Sequence, residues 1–308
     1  MRSQQMISSS ALLDRRQFVG AAAAAASSFV LPRQLIATEN SASNKFCAFV
    51  KFLRSLEYNE LAEKIAELGF DGVEVTARAK DSYIQPERAS DQLPRLLEAL
   101  NKHGLELTIL TTDIVRAEQP HAESMLRTAA KLGVPRYRLG FVHYDLNRPV
   151  LEQLADLQPA FRDIAAMNRD LGIAAVYQNH AGANYVGATL WDLHSLIKSY
   201  PVQEVGCVFD IRHACAEAGE AWPVYFNLMK LHLGAVSVKD YVWKGRRSGH
   251  VPLGEGRVDP RFFKLLQHSK YTGPISVHVE YLQKGSSRDN LEALGKDLQV
   301  LRGWLGEA

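Results

Sequence analysis

From residue 45 onward, apolar strand-like runs and helix-period segments alternate without a gap, eight of each. Strands are expected over 45–53, 71–77, 105–112, 136–144, 173–180, 204–213, 234–243 and 274–281. Helices are expected over 59–70, 91–104, 121–133, 150–172, 189–200, 221–232, 259–271 and 288–305, with a break or kink at Pro159. The first helix shows the reasoning: Leu61, Ile65 and Leu68 fall at helical spacing, and Gly69 closes the run. The strands are mostly apolar and lack clean two-residue alternation, as strands buried on both faces do. Alternating β and α elements imply a parallel sheet with right-handed crossovers. Eight such units in about 265 residues imply a closed (β/α)8 TIM barrel. The alternative is an open doubly wound sheet. No Gly-x-Gly-x-x-Gly follows the first strand, which argues against a dinucleotide-binding version of it.

The first 40 of the 308 residues stand apart. Arg15-Arg16, Phe18 and an Ala-rich apolar run to Leu31 resemble a twin-arginine export signal, followed by the Ser/Asn-rich linker 38–44. The chain is therefore expected to be exported to the periplasm, or tethered to the membrane by an uncleaved signal. Residues 41–308 are expected to form the barrel domain, with no integral membrane span in the mature chain. A net charge of +2 gives no sign of a nucleic-acid or membrane-surface partner. Homo-oligomerisation is left open. Cys47, Cys207 and Cys215 are too few, and odd in number, for a disulfide framework.

In a parallel barrel, chemistry collects at the C-terminal ends of the strands. The expected strands deliver Glu74, His143, Gln178, Asn179, His180, Asp210, His213, Lys239, His278 and Glu280 there. Such side chains are costly to bury without partners, so their convergence points to a site. Asp210 and Glu280 each end an apolar strand and suit one divalent ion, Mg or Mn, with Zn acceptable. The bland reading is an ion pair with Lys or Arg. His213 and His180 are expected to share the metal or contact a sugar hydroxyl. Lys239 is expected either as an electrophile or base beside a carbonyl, or as a salt-bridge partner. Glu74, His143, Asn179 and His278 are candidate substrate contacts. His250, in the Gly-rich loop 248–259, and Trp243, a candidate sugar-stacking surface, join them.

The order of these motifs resembles the sugar phosphate isomerase/epimerase superfamily with the xylose isomerase-like barrel. The signs are "GFDGVEV", "NH", "FDIRHA", "VKD", "PLGEGRVD" and "VEY", in that order from residue 69 to 281. The resemblance implies one divalent metal held by Glu, Asp, His and Glu on the fifth to eighth strands. Asp210 and Glu280 match that pattern. Gln178 stands where the fifth-strand Glu is expected, and Ser237 where the His is expected. Gln178 can bind a metal through its amide oxygen but takes no proton at neutral pH.

The expectation is a metal-dependent isomerase or epimerase acting on a small-molecule sugar or polyol, by proton transfer next to a carbonyl. Asp210, Glu280, Gln178 and His213 would hold the metal, and Glu280, Lys239 and His180 would do the chemistry. A lyase or dehydratase acting on a keto sugar or inosose-like polyol is the alternative, because one carboxylate is missing. A non-catalytic sugar-binding barrel is the third reading. A phosphodiester-cleaving enzyme is disfavoured by the low net charge and the absence of a His at 237.

Overall fold

The structure, a computed structural model, describes residues 44–282 and 285–307. The segment read as an export signal lies outside the described residues. Eight parallel strands close into a barrel: β1 (Phe46–Phe49), β2 (Gly72–Ala77), β3 (Glu106–Thr112), β4 (Arg136–Arg138), β5 (Ala174–Gln178), β6 (Val205–Asp210), β7 (Leu233–Val238) and β10 (Ile275–Val277). Around the ring the order is β1-β10-β7-β6-β5-β4-β3-β2. The (β/α)8 expectation holds. Among the described residues, no helix is long and apolar enough to cross a membrane.

Cys47, Ile109, Val176, Val208 and Ala235, from five strands, pack together as one small apolar cluster. The main core forms between the barrel and the helices α1 (Tyr58–Glu67), α2 (Ala89–Lys102), α3 (Ala122–Lys131), α4 (Val150–Leu171), α5 (Trp191–Ile197), α6 (Ile211–Ala218), α7 (Trp222–Met229), α8 (Arg261–His268) and α9 (Ser287–Leu305). No break interrupts α4, which runs through Pro159.

Three strand expectations change where the chain leaves the barrel. The run 136–144 keeps strand geometry only to Arg138, and the next residues form the mouth loop. The run 204–213 stops at Asp210, whose carboxylate accepts the His213 backbone N–H and so caps α6. A side-chain oxygen at this position satisfies one of the donors a helix start leaves orphaned. The run 234–243 breaks at Lys239, and the chain turns into a hairpin of β8 (Asp240–Lys244) and β9 (Arg247–Val251).

Asp240 organises the loop after the hairpin. Its carboxylate accepts backbone N–H groups from Tyr241, Gly254, Gly256 and Val258, all at 2.8 to 3.1 Å. A Cβ at Gly256 would collide with that carboxylate, which explains the glycine in "PLGEGRVD". Asp297 of α9 supports the same loop, accepting from the Leu253 N–H and the Tyr281 hydroxyl, each at 3.2 Å. Burial, with Asp240 and Glu255 nearby, pushes the Asp297 carboxyl up to about 7. The native state then holds a proton that an unfolded aspartate releases near pH 4. Stability attributable to this group falls as pH rises from about 4 to 7, and the penalty is complete above that. Asp297→Asn keeps an acceptor for both donors and removes the penalty. It should stabilise the chain by about 2 kcal/mol at pH 8 and change little at pH 4. Urea unfolding at both pH values checks this; equal effects at the two would refute it.

Candidate active site at the barrel mouth

The C-terminal ends of β5, β6, β7 and β10 bring Gln178, Asp210, Lys239 and Glu280 into one connected array. The Lys239 ammonium stands between two carboxylates, 3.2 Å from Asp210 Oδ2 and 2.9 Å from Glu280 Oε2. Gln178 Nε2 donates to the same Asp210 Oδ2 at 2.7 Å. On the other side, Gln178 Oε1 accepts from the buried Arg138 guanidinium. These two neighbours fix the amide orientation, because the reverse would set oxygen against carboxylate and N–H against guanidinium.

Burial alone would discharge these groups, and their mutual pairing reverses that. Burial lowers the Lys239 pKa, but Asp210 and Glu280 outweigh it and hold the ammonium charged. Burial likewise opposes charge on Glu280, but Lys239 and His278 keep that carboxyl well below its ordinary range.

Two histidines flank Asp210 in different tautomers. His213 Nδ1 receives the Ala181 N–H at 3.1 Å and an Arg212 Nη1 donor at 2.9 Å. Its proton therefore sits on Nε2, 3.6 Å from Asp210 Oδ2. Burial and the Lys239 charge keep it neutral. His180 Nδ1 faces the Ala181 carbonyl at 2.9 Å, and a carbonyl only accepts. Its Nε2 thus keeps the lone pair and makes no hydrogen bond among the described residues. Burial, then Lys239, lower its pKa to about 4. The ring is held by Tyr185 at 4.2 Å, His213 at 4.1 Å and Phe141 at 4.8 Å.

The hairpin closes one side. Arg212 Nη2 donates to Ser248 at 2.7 Å, tying β9 to α6. His250 then lies with Nε2 3.7 Å from Glu280 Oε2. Below the mouth, Glu74 is fully enclosed. It accepts from Thr111 at 2.5 Å, Ser276 at 2.6 Å and His278 Nε2 at 2.9 Å. Burial works against its charge, but His278 and the hydrogen bonds prevail and lower the carboxyl to about 2. His278 also stacks on Phe49 at 4.4 Å.

The remaining sequence candidates are placed elsewhere. Asn179 clamps β5 to β6, with both ends of its amide on the Asp210 backbone, at 2.7 and 3.1 Å. His143 is exposed on the mouth loop against Tyr185. Trp243 is 44 % exposed on the hairpin, edge-on to Tyr241. Sequence reasoning missed Arg78, Arg138 and Arg212. Arg138 was hidden inside a run read as strand as far as residue 144, and Arg78 in the loop after β2.

A divalent ion on Asp210, Glu280, Gln178 and His213 would need lone pairs converging on one point. The donors do not fit. Gln178 presents N–H toward Asp210, His213 presents N–H, and a cation already bridges the two carboxylates. Among the described residues, no three His, Cys, Asp or Glu side chains group as a metal site. Elemental analysis of the purified chain incubated with Mn²⁺, Mg²⁺ or Zn²⁺ should find far less than one equivalent retained. One equivalent per chain, lost in Asp210→Ala, would overturn this.

No curated protein matches the chain. Solved structures do. The D-psicose 3-epimerase of Clostridium cellulolyticum H10, determined with D-tagatose, superposes with TM-score 0.65 at 14% identity, covering 85% of this chain and 99% of that one. The probable 3-DHS dehydratase AsbF of Bacillus anthracis gives 0.62 at 16% identity, with 84% and 98% covered. A xylose isomerase-like TIM barrel protein of Mycobacterium smegmatis, in complex with magnesium, gives 0.61 at 18% identity, with 86% and 99% covered. At such identities the likeness speaks for the fold. The family model described as xylose isomerase-like TIM barrel matches residues 62–304, a span that takes in every barrel strand but the first and all the mouth residues of β5, β6, β7 and β10. With the closed eight-stranded barrel and the ordered strand-end motifs, that match makes this chain a member of the xylose isomerase-like TIM barrel family.

Proposed function

We propose that the barrel mouth binds a sugar-like polyol and moves a proton at the carbon beside its carbonyl, as an isomerase or epimerase does. The observation that carries this reading is the Lys239 ammonium held between Asp210 and Glu280 at the strand ends. The kinship with sugar epimerases in fold supports it. A fixed cation beside a carboxylate is what enolisation requires. Glu280 or His180 Nε2 takes the proton from carbon, and the electron pair moves onto the carbonyl oxygen. The Lys239 ammonium hydrogen-bonds that oxygen as it becomes negative. As it turns toward the new charge, its hold on Glu280 weakens and the carboxylate becomes more basic. Return of the proton to the neighbouring carbon, while the hydroxyl proton on the carbon first deprotonated passes to the former carbonyl oxygen, gives isomerisation. Delivery of a proton to the other face by a second group, with Glu280 and His180 acting as the pair, gives epimerisation.

The expected metal dependence is set aside in this reading, because Lys239 takes the electrophile's part. Elimination is the second reading. Gln178 removes a proton-carrying group from β5, and loss of a β-hydroxyl needs only one base. Either reaction fits an exported protein, in keeping with the N-terminal segment.

The test is solvent exchange. The full chain, treated with EDTA, is incubated in D₂O with a panel of aldoses, ketoses and keto acids and followed by proton NMR. Exchange of a carbon-bound proton, with or without net product, is expected for at least one class. Binding without exchange across the panel would favour the non-catalytic sugar-binding barrel.

A further inference from the structure

The mouth divides into two arcs of unlike character. The arc of β5, β6, β7 and β10 carries the array in which Lys239 pairs with Asp210 and Glu280, and Arg212 there spends its donors on His213 and Ser248. The arc of β1, β2, β3 and β4 carries Lys51 just past β1, Arg78 immediately past β2, and Arg138 at the end of β4. Among the described residues, none of these three cations has a carboxylate within ion-pair distance, whereas Arg54 nearby pairs with Asp81 at 3.1 Å.

Two carboxylates stand near this arc without pairing to its cations. Asp113, just past β3, takes the Ala79 N–H at 3.4 Å and acts on Arg78 only through its field. Glu74 lies beneath this arc, but Thr111, Ser276 and His278 occupy its oxygens. Arg138 is only 5% exposed, touches the Gln178 amide oxygen, and rests over the Phe141 ring at 5.0 Å. Its Nε and that of Arg78 are buried without a partner. Among the described residues the Lys51 ammonium makes no ion pair, and the Phe52 ring centre lies 5.2 Å from it. A buried guanidinium without a carboxylate costs stability, and the Gln178 amide oxygen and the Phe141 ring that meet Arg138 carry no charge to neutralise it. Desolvation lowers the pKa of all three, to about 10 for Arg138. The more distant charges of Glu280 on Lys51 and of Glu74 on the two arginines offset it only in part, and Lys51 also lies within the field of Arg78 and Arg138. An anion entering the arc relieves both burdens.

We propose that Lys51, Arg78 and Arg138 form a receptor for an anionic group on the substrate, a carboxylate or a phosphate, on the β1–β4 half of the mouth. That half adjoins Glu280 where β1 pairs with β10. The planar fork of arginine matches either anion in two-point contact. The substrate class narrows from a neutral polyol to an acidic sugar. This rests on the sugar reading of the mouth for the rest of the molecule, but not on any proton-transfer step. The division of labour comes from the geometry: one arc anchors the anionic end, and the other meets the carbonyl.

The test uses calorimetric titration of the full chain with D-glucuronate, D-glucose 6-phosphate and D-glucose at low and high salt. At least one acidic sugar should bind about tenfold or more tightly than glucose at low salt, with the margin shrinking at high salt. Arg78→Gln and Lys51→Met, both at partly exposed positions, should each shrink that margin to within about threefold. Arg54→Gln, whose charge is already paired, should leave it intact. Preference for glucuronate alone identifies a carboxylate, and for the 6-phosphate alone a phosphate. Equal affinities for all three sugars, or a preference that survives Arg78→Gln, would overturn the proposal. Acid-selective binding without deuterium exchange would defeat the proton-transfer reading and leave this one standing; exchange on neutral sugars with no acid preference would do the reverse.

Discussion

Lys239→Met should destabilise the chain by about 3–5 kcal/mol, the cost typical of breaking a buried ion pair from one side. The ammonium is 5% exposed and is the cation in contact with both Asp210 and Glu280. Asp210 is fully buried, and among the described residues methionine leaves it its Gln178 donor at 2.7 Å, the His213 backbone N–H at 3.1 Å and the neutral His213 Nε2–H at 3.6 Å, none of them charged. Methionine fills a similar volume, so the loss reports charge rather than a cavity. Urea unfolding at neutral pH measures it. The size of the effect also separates two accounts of the mouth. If a divalent ion neutralised these carboxylates, losing the lysine would cost under about 1 kcal/mol, and the variant would become sensitive to chelators. A large loss that EDTA does not change belongs to the ammonium.

The barrel was legible because its signal is periodic and repeated. Each apolar run needs only its length and each helix only its spacing, and the closing glycines 69, 104 and 133 do adopt positive φ, as helix ends ask. What stayed hidden were the points where the chain departs from the repeat. The apolar character of β7 continues past Lys239 into Tyr241, Val242 and Trp243, so periodicity gave no cue to the hairpin. The cue was Gly245, which takes φ 62° in the tight turn between β8 and β9. The start of α6 was concealed by the same economy: Asp210 is at once the last residue of β6 and the cap of the helix. Sequence reading counted it only as a strand end.

The site was legible as a set of residues and not as a circuit. Asp210, Lys239, Glu280, Gln178, His180, His213 and His250 are all placed at the mouth, as strand-end and loop positions suggest. Residue type alone could not say which carboxylate faces which cation. The orientation of Gln178 depends on Arg138, a residue forty positions away that only the closing of the barrel brings to it. The His213 tautomer depends on the Ala181 N–H and on Arg212. Those contacts turn two of the four expected metal ligands, Gln178 and His213, into hydrogen-bond donors.

Glu280→Gln should lower the rate of substrate proton exchange by about 10²–10⁴-fold, the usual worth of a positioned general base. The amide keeps the shape and can still accept from Lys239 at the oxygen now 2.9 Å away, and Lys239 retains Asp210. Folding should therefore survive, and thermal unfolding of the variant verifies that first. His180→Asn is the companion test, since His180 Nε2 is the other lone pair free to take the proton. If Glu280 is the base and His180 only orients the substrate, the second change should cost far less than the first. If the two groups work as a relay, each alone should cost nearly as much as both together, because groups that act as a unit do not add. Deuterium exchange rates for the two single variants and the double variant distinguish the cases. Full activity in Glu280→Gln would move the chemistry away from the β10 carboxylate and leave Lys239 and Glu280 a structural pair.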